Sequence, residues 1–163
     1  MKRNTQELLR GNLVLDTSVL VEYLVGSSPC GEIVKEYFAG LEANERAHLS
    51  LYSISEIYYI LCRMKKETKA TNSSNDEDDP SKFASEKLKA LLESNAVSIH
   101  YSLELSLKTG EMKCERSLSI IDCAALALAE FLKVPACFVK EKELEREISK
   151  KPFGVSVLLL DCN

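Results

Sequence analysis

Short apolar runs alternate with longer segments of helical periodicity along the whole chain, and no other feature limits the possible folds as much. The runs are residues 12–16, 47–51, 97–101, 136–139 and 155–160. Each is too short for a helix and carries the branched and aliphatic residues that suit a buried strand. Between them, Leu20, Tyr23 and Leu24 recur at helical spacing, as do Ile33, Val34, Tyr37, Phe38 and Leu41, and then Ile57, Ile60, Leu61 and Met64. Phe83, Leu88, Leu91 and Leu92 mark a further helix, residues 102–115 another, and a helix opening at Ser119 is followed by Pro135. A short charged helix is predicted over 142–150. Strands separated by helices pair in parallel, because only a crossover returns the chain to the same end of the sheet. The predicted fold is a three-layer α/β/α sandwich around a five-stranded, mainly parallel sheet. It makes residues 1–163 one domain, a size that supports a single core.

Local signals punctuate this frame. Ser28 followed by Pro29 is an N-cap with a first-turn proline, and Gly40 or Asn44 ends that helix. Ser53 with Glu56, and Ser119 with Asp122, each have capping-box spacing. Ala124, Ala125, Ala127 and Ala129 give the helix after Ser119 a surface small enough to press against a sheet. From Lys65 to Lys82 the apolar periodicity disappears, so residues 65–82 read as a polar, mobile loop.

Charge and cysteine content exclude several classes. The chain has 21 Lys and Arg against 25 Asp and Glu, and Asp76, Glu77, Asp78 and Asp79 alone account for the excess, so no general basic coat for nucleic acid exists. The longest uninterrupted apolar stretch, residues 123–129, is seven residues, whereas a spanning helix needs roughly 20. No membrane span is expected, and a polar start without a secretory core points to the cytoplasm. The six cysteines include no Cys-x-x-Cys pair and sit mostly among apolar residues, so neither a zinc site nor a disulfide scaffold is expected. His48 and His100 have no metalloprotease spacing and read as strand-edge residues.

The acids are placed more informatively than they are counted. In a parallel sheet, ligands bind where the strands' carboxyl ends meet the connecting helices. Asp16 ends the first strand, Glu56 lies in the first turn after the second, Asp122 opens the helix leading to the fourth, and Glu141 follows the fourth. All four are thereby predicted on one edge. Two carboxylates about 5 Å apart repel by roughly 3 kcal/mol at an effective dielectric near 20, so such a group demands protons or a cation. A hard divalent ion, Mg2+ or Mn2+, meets that demand through oxygen ligands. Taken singly, Asp16, Glu56 and Asp122 are also ordinary helix caps, and Glu141 sits in the solvated run 140–143. Separate caps need no convergence, whereas a metal centre does.

The segments LVLDTSVLVEYL at 13–24, SISEIYYIL at 53–61, SIIDCAALALAEFL at 119–132 and ACFVKEKELE at 136–145 together resemble the PIN-domain ribonucleases, especially the toxin subunits of VapC-type toxin–antitoxin pairs. The resemblance covers nearly the whole chain. It implies hydrolysis of single-stranded RNA with Mg2+ or Mn2+, Asp16 and Asp122 as principal ligands, Glu56 and Glu141 completing the acidic pocket, and Thr17 or Ser18 steadying it. It also implies a homodimer and a cognate antitoxin protein. Where the family has Asp within Thr-x-Asp, this chain has Val139-Lys140-Glu141, with Glu143 as a substitute within reach. That departure motivates an alternative, a non-catalytic PIN-like module that binds RNA or protein. A phosphotransfer enzyme fits less well, because Ser18 occupies the third position where an Asp-x-Asp beginning at Asp16 would need its second acid, and neither a P-loop nor Gly-x-Gly-x-x-Gly is present. Arg63, Lys65, Lys66, Lys108, Lys113 and Arg116 are candidate contacts to an RNA backbone, and Tyr52, Tyr58 and Tyr59 candidate stacking residues, with Tyr58 or Tyr59 also suited to the core.

Overall fold

A computed structural model describes residues 9–26, 28–71 and 79–162. Its five strands, β1 (Leu13–Leu15), β2 (Ala47–Ser50), β3 (Val97–His100), β4 (Ala136–Val139) and β5 (Val157–Leu160), form one sheet in the order β3-β2-β1-β4-β5. Every pairing is parallel. The expected α/β sandwich is therefore present, and β1, which carries Asp16 at its end, lies at the centre.

Seven helices among the described residues connect the strands: α1 (Thr17–Val25), α2 (Pro29–Ala39), α3 (Leu51–Thr71), α4 (Pro80–Glu93), α5 (Leu103–Glu115), α6 (Ile120–Leu132) and α7 (Lys142–Lys150). Strand alternation divides them into two layers. Leu13 and Leu15 of β1, with Cys137 of β4, face a core containing Val19, Leu20, Val34, Ile57, Leu61 and Leu88 from α1 to α4. Val14, Ala136 and Phe138 face a second core containing Leu105, Leu126, Leu128 and Leu144 from α5 to α7. In α6 every residue from Cys123 to Ala129 is buried, and the helix touches both β1 and β2. Its alanines let it approach the sheet while α5 covers its other side. The α1–α2 corner is equally close: a Cβ on Gly31 would stand 2.7 Å from the carbonyl oxygen of Glu22.

Several predicted boundaries hold and three expectations do not. Ser28 accepts from the Gly31 N–H, Gly40 caps the end of α2, and Ser119 and Asp122 form the reciprocal capping box. The Ser53–Glu56 box does not form. The chain passes from β2 directly into α3, and Ser50 Oγ accepts from Tyr52 N instead. Ser53 is consequently a buried first-turn residue whose hydroxyl has no partner, and Glu56 lies in the second turn. The loop predicted over 65–82 shrinks from both sides, since α3 continues to Thr71 and α4 starts at Pro80. Residues 65–71 lack apolar spacing but are mostly good helix formers, held by the Arg63–Glu67 ion pair at 3.3 Å, Thr68 Oγ1 on the Met64 carbonyl, and Lys65 over the Phe83 ring. Asp79 caps α4 by accepting from Ser81 N at 3.1 Å, with Pro80 in the first turn. Residues 72–78, including Asp76, Glu77 and Asp78, lie outside the described part.

The third correction concerns the cysteines. Cys30, at the start of α2, and Cys162, beyond β5, form a disulfide across 132 residues of sequence. No local spacing announces such a pair, because the sheet brings its halves together. Cys62, Cys114, Cys123 and Cys137 are free thiols, the last two buried.

Candidate active site

The site begins at the turn from β1 into α1. Asp16 has extended backbone and caps α1, its Oδ2 accepting from Ser18 N at 2.9 Å and from Ser18 Oγ at 2.6 Å. Ser18 Oγ in turn accepts from Val139 N at 3.2 Å, so one hydroxyl ties the end of β1 to the end of β4. Asp16 is only 4% exposed, and its second oxygen, Oδ1, has no protein partner. The adjacent Thr17 hydroxyl is likewise buried and unpartnered. Buried oxygens without donors are costly, and a carboxylate oxygen in that condition suits a cation or a proton.

Electrostatics link Asp16 to the other acids. Burial pushes its carboxyl from 3.8 up to about 7, opposed by the Ser18 hydrogen bonds and reinforced by the charge of Asp122. Asp122 is half-buried at the first turn of α6, where its Oδ2 accepts from Ser119 N at 3.1 Å. Glu141 precedes α7 without capping it. Its carboxyl is raised by burial and then by the charges of Asp122, Glu143 and Glu56. Asp122 is thus the common neighbour, felt by Asp16 on one side and by Glu141 on the other. Glu56 joins this group through its charge on Glu141.

The cluster is open. Among the described residues, no three carboxylate, imidazole or thiol groups stand close enough to make a finished metal cage. Lys140 does not neutralise the acids, because it pairs with Glu145 at 3.7 Å and Asp161 at 3.6 Å. Glu143 pairs with Arg146 at 3.6 Å on the exposed side of α7.

Several candidate RNA contacts are otherwise engaged. Arg116 donates to the carbonyls of Glu147, Lys151 and Pro152 and stacks on Phe153, so it holds the end of α7. Lys113 donates to the Leu118 carbonyl, and Lys108 pairs with Glu130 at 3.2 Å. Tyr58 packs against the core, while Tyr52 and Tyr59 remain exposed. The link missing from the sequence reading is that between Ser18 and Val139, which only the strand order β1-β4 reveals.

The fold has counterparts among known proteins. The family model described as PIN domain matches residues 13–146, a span that contains Asp16, Glu56, Asp122 and Glu141. No curated protein matches the chain. Among solved structures, it is similar to VapBC2 from Rickettsia felis bound to a DNA fragment from its promoter, with a TM-score of 0.61 and 13% identity over 92% of this chain and 99% of that one. It is also similar to VapC20 of Mycobacterium tuberculosis, described as a sarcin-ricin loop cleaving toxin (TM-score 0.59, 16% identity, 82% and 93% covered). A toxin–antitoxin complex from Klebsiella pneumoniae aligns with a TM-score of 0.55 and 14% identity over 93% and 98%. At these identities the likeness is one of fold.

Proposed function

Because the chain belongs to the PIN domain family, we propose that it is a metal-dependent endoribonuclease hydrolysing phosphodiester bonds of single-stranded RNA. The observation that carries this is the buried Asp16 carboxylate, with one oxygen fixed by Ser18, the other unpartnered, and Asp122 close enough to raise its pKa. That donor set fits Mg2+ or Mn2+, which take oxygen ligands and are commonly held by one or two carboxylates with water and phosphate completing the shell. Asp16 and Asp122 would hold the ion, and Glu56 and Glu141 would position its water ligands. When bound, such an ion supplies charge neutralisation for the phosphodiester and lowers the pKa of a water.

The chain's own residues set up the rest. Ser18 fixes the Asp16 carboxylate in one orientation, and the same hydroxyl keeps the β4 end, and so Glu141, in register with it. Thr17 lies buried beside Asp16 with its hydroxyl unpartnered, so Ser18 and not Thr17 steadies the turn by hydrogen bonds. Glu141, whose carboxyl is raised above its ordinary range, is suited to accept a proton from an attacking water at its carboxylate oxygen. Glu143 adds negative charge beside it without entering the centre.

The solved neighbours support a narrower reading, in which this nuclease is the toxin of a toxin–antitoxin pair with a cognate antitoxin protein as partner. A homodimer and a cytoplasmic location complete it; no described helix is long and apolar enough to cross a membrane. Glu141, standing where the family has Asp, favours one second reading: a PIN-like module that binds RNA or protein without cutting. Cleavage of defined single-stranded RNAs with Mg2+, Mn2+ or chelator, by wild type beside Asp16→Asn, separates the two. Metal-dependent cutting that falls at least a hundredfold in the folded variant is expected; absence of cutting by wild type on a broad RNA panel selects the module.

A further inference from the structure

At the β2–β3 side of the sheet edge that carries the acids lies a cavity of about 290 Å³ lined by Ser50, Tyr52, Ser55, His100, Tyr101 and Ser106, with Leu51 and Leu105. It belongs to the same edge of the sheet, since Ser50 ends β2, His100 ends β3, and Ser55 immediately precedes Glu56. Two aromatic rings stand open there: Tyr101 is 77% and Tyr52 43% exposed. Tyr52 is anchored by its hydroxyl, which donates to Ser106 Oγ at 3.4 Å and so bridges α3 and α5.

The hydrogen-bonding character of His100 can be followed from the other end of the sheet. Asn12 Oδ1 accepts from Arg46 N at 2.9 Å, which identifies that atom as the amide oxygen. His48 Nε2 meets the same oxygen at 3.1 Å and therefore carries the proton. His48 Nδ1 is then an acceptor, and His100 Nε2, 2.9 Å away, donates to it. With Nε2 committed, neutral His100 has Nδ1 as its remaining nitrogen, a bare acceptor. Burial lowers the pKa of both rings, and each His favours this neutral arrangement.

We propose that this cavity is a nucleobase subsite, in which a base flanking the cleaved phosphodiester stacks on Tyr101 and Tyr52 and donates an N–H to His100 Nδ1. The proposal rests on the ribonuclease reading of the neighbouring acids. The lining has no formally charged side chain, so it suits a neutral base and not a phosphate, whose repulsion from the acidic edge only a cation relieves. The exposed Ser55 and Tyr101 hydroxyls give the rim both donors and acceptors, the mixture a base edge requires and a purely apolar protein contact does not, whereas Ser50 Oγ is buried beneath Tyr52 N and Ser106 Oγ is engaged by the Ser102 carbonyl and Tyr52. Aromatic rings with free faces bind bases of any sequence by stacking, while the single acceptor on His100 discriminates among base edges by their N–H groups.

The test uses the full chain and a cleavable single-stranded RNA with abasic residues placed singly at the neighbours of the cut. Tyr101→Ala is expected to raise KM about tenfold on intact RNA while kcat changes little. At one abasic position the two proteins should become equal, because the stacked base is gone. Tyr101→Phe should retain wild-type KM, and the oligomeric state in sedimentation should be the same for all. His100→Phe, which keeps the ring and removes the acceptor, should shift base preference at that same position. Unchanged KM for Tyr101→Ala on an RNA that wild type cuts with metal overturns the subsite alone. A loss that persists at every abasic position, or one accompanied by altered sedimentation, also overturns it and assigns the face, with exposed Leu103 and Leu107, to self-association. If wild type cuts no RNA, the ribonuclease reading falls and the subsite with it.

Discussion

At Asp16 a single carboxylate carries two opposed demands, capping a helix and remaining ionisable in a buried place. The folded pKa of about 7 lies above the starting value of 3.8, so the folded state holds more protons than the unfolded one across that interval. Its contribution to stability is therefore a penalty that is absent below about pH 4, grows as pH rises, and is complete above about pH 7. Asp16→Asn removes the penalty. In chelator, chemical denaturation at several pH values should show the variant gaining on wild type by up to about 4 kcal/mol between pH 4 and pH 8; a constant gap would contradict the buried-carboxylate account. Residues also show what was readable beforehand. Asp16, Ser119 and Asp122 were legible because strand end and cap are local signals. Ser53 and Glu56 satisfied the same pattern and misled, because β2 runs into α3 three residues earlier and Ser50 supplies the hydroxyl. Capping spacing identifies a helix start only when the strand before it has already ended. The cavity beside His100 was illegible, since Ser50, His100 and Ser106 come from elements whose adjacency follows from sheet order.

Elements differ in how strongly the chain announces them. Strand β4 and helix α7 stand where periodicity places them, over Ala136–Val139 and Lys142–Lys150. The far half of α3 was hidden because it has little to bury: it leaves the sheet and pairs with α4 in a helical hairpin. Its helix is held by propensity and ion pairs between exposed side chains, each worth only a few tenths of a kcal/mol. The Asp79-Pro80 start of α4 is a stronger signal, masked in the sequence by the acids before it. Asp79→Ala should destabilise the chain by about 1 kcal/mol in urea unfolding, through loss of the Ser81 N–H acceptor. Asp79→Asn or Asp79→Ser should recover most of that, whereas an equal loss in all three variants would assign the effect to charge.

On the scale of the molecule, parallel order converts separated segments into one edge. β1 lies at the centre with β4 on one flank and β2 on the other, so Asp16 and Glu141 follow adjacent strand ends, Glu56 comes from the helix after β2, and α6 brings the charge of Asp122 to bear on Asp16 and Glu141. The Cys30–Cys162 bond acts on this arrangement from outside, binding the end of the edge strand β5 to α2. Disulfides are uncommon in reducing compartments outside hyperthermophiles, which bears on the proposed cytoplasmic setting. Unreduced, denatured protein should present four titratable thiols and not six. Cys162→Ser should lower the unfolding free energy by about 3–5 kcal/mol, because a cross-link over 132 residues removes much of the unfolded chain's freedom. Equal stability of variant and parent would show that the bond does not constrain the unfolded state.

The placement of that bond also sets what a broken backbone would do. Cys30 belongs to the part of the chain before residue 71 and Cys162 to the part after residue 79. A peptide bond cut anywhere between those positions yields two fragments that remain one covalent molecule, with β1, β2 and α3 on one piece and β3, β4 and β5 on the other. The nicked protein would migrate as a single species until reductant is added, and the acids of the edge would stay assembled although Glu56 and Asp122 no longer shared a continuous backbone.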